Sequence, residues 1–94
     1  MKMLITYDVS TVDRPGQRRL RRVARACKDF GQRVQKSVFE CTVGQTDWVQ
    51  FRERLLKEID PVQDSLRFYF LTADIQIEHH GNDKPIDLEG PLII

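Results

Sequence analysis

Asp8 is the first side chain whose chemistry asks for a partner. It interrupts the run Met3-Leu4-Ile5-Thr6-Tyr7-Asp8-Val9-Ser10, where Leu4, Ile5, Tyr7 and Val9 favour an extended, buried strand. An ionised carboxylate among strand side chains is costly unless a metal, a cation or several donors meet it. Two readings follow. In the structural one, Asp8 caps the turn that follows or pairs with a helix arginine. In the functional one, it is a hard oxygen ligand for Mg²⁺ or Mn²⁺, which bind through one or two carboxylates plus water and phosphate. The motif holds no second acidic residue, so the simplest second ligand is the same residue of a two-fold-related copy.

The other chemistry is concentrated positive charge. From Arg14 to Lys36 nine basic residues face Asp29 alone, whereas from Ser37 to Ile94 five basic residues face eleven acidic ones. The formal net charge of +1 conceals that asymmetry, which is the footprint of a polyanion partner. A solvated helix face ordinarily mixes both signs at i,i+4 spacing, and here Asp29 is the one available acid. Phosphate contact is therefore the favoured use of Arg18, Arg21, Arg22, Arg25 and Lys28. No aromatic-interleaved reader motif accompanies them, so contact to the backbone rather than the bases is expected.

Other residues carry weaker signals. Tyr7 and Phe39 read as core or sheet-face aromatics. Ser37 lacks a nucleophile elbow or a His/Asp partner. His79 and His80 are adjacent on an extended stretch, point apart, and read as solvated. Cys27 and Cys41 stand outside any metal-binding spacing and read as reduced, buried thiols of a cytoplasmic protein.

The elements that must position these groups follow from periodicity. A turn over Ser10–Gly16 leads into a helix from about Gln17 to Phe30, with Leu20, Val23, Ala24, Cys27 and Phe30 as its buried stripe and Gly31 as its stop. Arg33–Val43 is rich in β-formers but too long for one strand, so a break near Gln35–Ser37 is expected. Gly44–Asp47 caps a second helix, about Trp48–Ile59, whose core stripe is Trp48, Phe51, Leu55 and Ile59. Ser65–Leu71 alternates as a strand, and Asp74–His79 alternates as another. Pro91–Ile94 is an apolar tail.

The order β-α-β-β-α-β with an extra C-terminal strand segment predicts an α+β, ferredoxin-like fold. At 94 residues it is one domain, 1–94. The tail would be a liability as a free edge, so a homodimer is expected, with about 74–94 packed on or exchanged with the partner protomer. No apolar stretch reaches membrane-spanning length, and Met1-Lys2-Met3 leaves no room for a signal peptide; no membrane association is expected.

Leu4-Ile5-Thr6-Tyr7-Asp8, the Arg-rich first helix and Gly31-Gln32-Arg33-Val34-Gln35-Lys36-Ser37-Val38-Phe39-Glu40 together resemble the small CRISPR-associated "Cas-two" family. Ile86-Asp87-Leu88-Glu89-Gly90-Pro91-Leu92 looks like members that accompany type I-C (Dvulg) systems. The resemblance implies a ferredoxin-like homodimer that joins the spacer-integrating nuclease of CRISPR adaptation and holds incoming double-stranded DNA. It also implies a Mg²⁺-dependent endonuclease on RNA or double-stranded DNA. Asp8 would be the metal ligand at the dimer interface, with Tyr7 beside it and Ser37 and Phe39 lining the cleft. Arg19, Arg22 and Arg33 would touch phosphate, with Arg18 and Arg25 completing the nucleic-acid set.

Two functions compete on these residues. One is a metal-dependent phosphodiesterase built on paired Asp8 carboxylates. The other is a non-catalytic dimeric scaffold whose two basic helices track a duplex while a partner cuts. A plain ferredoxin-like sensor or enzyme subunit is the bland alternative.

Overall fold

The computed structural model describes residues 1–81. The elements are β1 (Lys2–Asp8), α1 (Arg14–Phe30), β2 (Gly31–Gln35), β3 (Val38–Thr42), α2 (Gln45–Glu58) and β4 (Ser65–Leu71). All strand pairs are antiparallel, in the order β2-β3-β1-β4, which is the ferredoxin-like α+β arrangement. Met3, Ile5 and Tyr7 of β1 and Phe39 and Cys41 of β3 bury one face of the sheet. Val23, Ala26 and Cys27 of α1 and Trp48, Phe51 and Leu55 of α2 complete that core. Trp48 meets Phe51, Phe68 and Phe70 edge-on, with centroids 6.0, 4.9 and 5.6 Å away. Such T-shaped contacts match the positive edge of one ring to the face of the next.

Local chemistry sets the boundaries. α1 starts at Arg14, earlier than its apolar period suggests, because Asp13 caps it by accepting from the Gly16 amide at 2.9 Å. A Cβ at Gly16 would lie 2.0 Å from the Ser10 carbonyl oxygen, so the turn closes only around a glycine. Gly31 ends the helix for a different reason from the one expected. Its backbone is extended, and it is the first residue of β2. A side chain there would drive a Cβ to 2.5 Å from the Glu40 carbonyl oxygen across the hairpin. α2 starts at Gln45; its N-cap is Gly44, without a side-chain cap bond, and Asp47 in the first turn favours the helix dipole.

The expected break falls where the pattern placed it, with Lys36 and Ser37 joining β2 to β3. No non-glycine residue there has positive φ, so this is not the primed turn that suits a two-residue hairpin. β2 carries a bulge between Arg33 and Gln35, a device that adds local twist.

The expectation of a strand over Asp74–His79 is corrected: residues 72–81 hold no strand. β4 is an edge paired only with β1, and no described strand stands beside it, so Ile75 and Ile77 remain exposed. The Pro91–Ile94 tail and the Ile86–Leu92 segment lie outside the described residues.

One buried carboxylate ties the layers together. The Asp64 side chain is fully inaccessible and accepts from the Ser10 amide (3.0 Å), the Asp60 amide (2.8 Å) and Arg19 Nε (2.9 Å). Burial pushes its carboxyl up, but the Arg19 bond, the two amides and the Arg19 charge outweigh it and hold the group below its ordinary value. Asp64→Ala strands both amides and is expected to cost about 2–4 kcal/mol in urea melts. A carboxyl depressed in the folded state stabilises fully above its unfolded value, near pH 4, and loses that contribution as pH falls through the lower folded value. The acid limb of the stability curve should therefore be shallower in the variant.

Candidate functional site

Strand alternation places Asp8 on the face of the sheet that carries no helix, together with Leu4 and Thr6 of β1. Register puts Ser65 of β4 directly opposite Asp8 and Arg67 directly opposite Thr6, while Val38 of β3 faces Thr6 from the other side. Asp8 is exposed. Among the described residues its carboxylate takes part in no salt bridge, so the arginine partner of the structural reading is not realised. An exposed hard oxygen donor at a strand end fits one position in the shell of a Mg²⁺ or Mn²⁺ ion that keeps most of its waters. Among the described residues no three acidic, histidine or cysteine side chains cluster to complete such a site within one chain.

The other predicted residues gather at the same end of the sheet but on its opposite face. Tyr7 is buried and its hydroxyl donates to the Lys36 carbonyl at 3.3 Å. Its ring stacks on fully buried Phe39 with centroids 6.2 Å apart. Burial raises the Tyr7 hydroxyl above its ordinary value, with Cys27 adding to the shift and Arg33 opposing it. Ser37 is half-buried in the hairpin turn, where its carbonyl accepts from the Tyr7 amide at 3.1 Å. These residues hold the strand that carries Asp8. In the single chain Tyr7 and Phe39 are core residues and present no side chain to its carboxylate.

The arginines separate into three groups. Arg14, Arg18, Arg21, Arg25 and Lys28 are exposed and spaced 4, 3, 4 and 3 apart, which aligns them along the side of α1 opposite Val23 and Cys27. At 1.5 Å per residue that stripe is ~21 Å long. Arg22 lies beside it, 3.8 Å from Glu58, and Asp29 is taken by Arg54 at 2.7 Å, so both links run to α2. Arg19 is committed to Asp64, which raises its own value, and is only 15% accessible. Arg33 is buried beneath α1, its guanidinium carbon 4.9 Å over the Phe39 ring, with Nε and Nη1 lacking any acceptor. Of the five predicted phosphate contacts, Arg18 and Arg25 are presented freely, Arg22 is shared with an acid, and Arg19 and Arg33 are turned inward.

A family model described as CRISPR associated protein Cas2 matches residues 1–76. The chain belongs to the Cas2 family. A CRISPR-associated endoribonuclease Cas2 of Chlorobaculum tepidum is 55% identical over 96 residues, covering all of both chains. A CRISPR-associated endonuclease Cas2 of Halalkalibacterium halodurans is 50% identical over 95 residues, covering 99% of each. The crystal structure of Streptococcus pyogenes Cas2 superposes with a TM-score of 0.74 at 48% identity, over 86% of this chain and all of that one. The Cas2 fold is thus the frame on which the open-face carboxylate and the basic stripe are displayed.

Asp64, which fixes the fold, and Arg67, which stands opposite Thr6 on the open face, carry no mark in the sequence. Neither lies in a motif, and their significance comes from a contact 45 residues away and from strand register respectively. Both thiols are free and buried, as expected; desolvation first, then the neighbouring Cys41, pushes Cys27 up to about 12, which makes it a poor nucleophile. Arg33→Met replaces a buried, half-satisfied charge by an apolar side chain of similar length. It is expected to raise the thermal unfolding midpoint, by about 1 kcal/mol in stability. A fall in the midpoint would mean that the contacts with Phe39 and Tyr7 outweigh the unmet hydrogen bonds.

Proposed function

We propose that this chain is a metal-dependent endonuclease of CRISPR spacer acquisition, hydrolysing phosphodiester bonds in RNA or double-stranded DNA with Asp8 as metal ligand. The observation that carries this reading is an exposed carboxylate at a strand end, paired with no cation among the described residues, on the sheet face that carries no helix. The names borne by the relatives, endoribonuclease and endonuclease, support the same activity class.

Asp8 supplies one oxygen ligand, and the second comes from the same residue of a two-fold partner, so the working unit is a homodimer. The segment beyond β4 pairs with or exchanges onto the partner and covers the free β4 edge. Bound Mg²⁺ or Mn²⁺ supplies an acidified water and neutralises charge on the scissile phosphate. Tyr7, stacked on Phe39 and tied to Lys36, fixes the end of β1 and with it the direction of the Asp8 side chain. Ser37 holds the neighbouring turn against the same strand.

The basic stripe favours a second role that coexists with the first. Arg14, Arg18, Arg21, Arg25 and Lys28 hold a duplex by its backbone, while the spacer-integrating nuclease joins the complex as partner. Arg22 contributes by exchanging Glu58 for phosphate.

Labelled double-stranded DNA and single-stranded RNA, incubated with Mg²⁺, Mn²⁺ or chelator, test both roles. Asp8→Asn should lower metal-dependent cleavage about 100-fold or more while leaving retention intact. Cleavage that survives in Asp8→Asn would remove Asp8 from the metal site. Retention without cutting by the wild type under every condition would leave only the scaffold.

The stripe gives its own prediction. Arg18→Ala with Arg25→Ala should weaken duplex retention at every sequence and reduce the slope of log affinity against log salt by about 0.9 per lost contact. An unchanged slope would take these two residues off the duplex.

A further inference from the structure

Arg67 differs from the arginines that stabilise this fold. Arg19, Arg22, Arg52 and Arg54 each stand within 4.0 Å of a carboxylate, whereas among the described residues Arg67 has none. Its side chain is exposed on the open face, and its hydrogen-bond partner is the Tyr69 hydroxyl at 3.5 Å, at the long limit for such a bond. Yet register fixes its position relative to Asp8. Thr6 faces Arg67 and Asp8 faces Ser65, so Arg67 is the diagonal neighbour of Asp8 across the β1–β4 pair.

Diagonal neighbours in an antiparallel pair are separated by ~7–8 Å between backbones. Carboxylate and guanidinium here form no direct ion pair, and the surface between them is small and polar: Thr6 and Ser65. An extended arginine side chain spans such a separation, so the N–H donors of Arg67 can reach an anion held beside Asp8. The two residues also bracket the charge sequence such a ligand needs, with the negative group toward the cation and the positive group toward the anion.

We infer that Arg67 is a phosphate-binding residue of the Asp8 site. It swings from Tyr69 to grip the phosphodiester that the metal contacts, with Ser65 and Thr6 lining the floor between. This rests on Asp8 holding the metal, and it assigns to β4 a role distinct from that of the α1 stripe. The stripe holds a long backbone from outside the fold, whereas Arg67 fixes a single phosphate against the carboxylate. The ligand class is one phosphodiester, independent of base.

A dinucleotide with a single phosphodiester, thymidylyl-thymidine, is too short to report on the stripe and therefore isolates this site. Its affinity would be measured by equilibrium dialysis with and without Mg²⁺ for wild type, Arg67→Gln, Arg67→Lys and Asp8→Asn, alongside duplex retention and urea midpoints. Arg67→Gln should weaken dinucleotide binding about tenfold at an unchanged midpoint, and Arg67→Lys should restore part of it. Dinucleotide affinity in Arg67→Gln equal to wild type overturns the inference, as does a wild type that binds no dinucleotide. Loss of binding in Arg67→Gln together with full cleavage by Asp8→Asn sustains a phosphate site at Arg67 and overturns the metal reading at Asp8 instead.

Discussion

The Asp64 carboxylate is the point on which this small fold turns. It is fully buried, and it draws together the Ser10 amide after β1, the Asp60 amide after α2 and the Arg19 side chain of α1. Three connections that no helix or strand ladder would hold in place are thereby fixed to one pair of oxygens. The cost of burying a charge is met because the Ser10 amide, the Asp60 amide and Arg19 Nε all arrive within 3.0 Å and the last of them is itself charged. Gly16, pressed against the Ser10 carbonyl, and Asp13, capping the first turn, complete the same corner. The direction of α1, and so the line along which its arginines lie, is set there.

That corner also explains how a helix can carry so many like charges. Repulsion along the stripe is not relieved within α1. It is offset by packing of the opposite face and by pairing of the flanking charges with other elements. Arg19 goes to Asp64, Arg22 to Glu58, and Asp29 turns away from its own helix to Arg54. The flanks are neutralised and the crest is not, which concentrates positive potential in a narrow band on an otherwise acidic chain.

Much of this is legible in the residues. The two helices, the four strands and the break at Lys36–Ser37 follow from apolar period and turn chemistry, and so does the ferredoxin-like order. What periodicity misses are contacts between distant residues. Nothing near Asp64 marks it as the partner of Arg19, and the fully buried alanine of α1 is Ala26, outside the expected stripe, while Ala24 within it is only partly buried. Arg33 misleads for a specific reason: simple alternation along Gln32–Gln35 would send Val34 inward, but the bulge shifts the phase, so Val34 is exposed and the guanidinium buried. The Asp74–His79 alternation is real, but a strand needs a neighbour, and the edge of β4 has none among the described residues. Asp8 itself is visible from the sequence, whereas the company it keeps on the open face, Ser65 and Arg67, appears only once register is known.

The division of the sheet into a helix-covered face and an open one has a consequence for how this protein changes over generations. Asp8, Thr6, Ser65 and Arg67 contribute almost nothing to the core, and the crest of α1 contributes nothing either, while Tyr7, Phe39 and Asp64 contribute nothing to either surface. Substitutions that alter the open face therefore pass under little selection for folding. A lineage can lose the carboxylate and keep the architecture, or keep the carboxylate and redraw the charges around it. In such a chain, chemistry and assembly diverge independently, and persistence of the fold says little about persistence of the reaction.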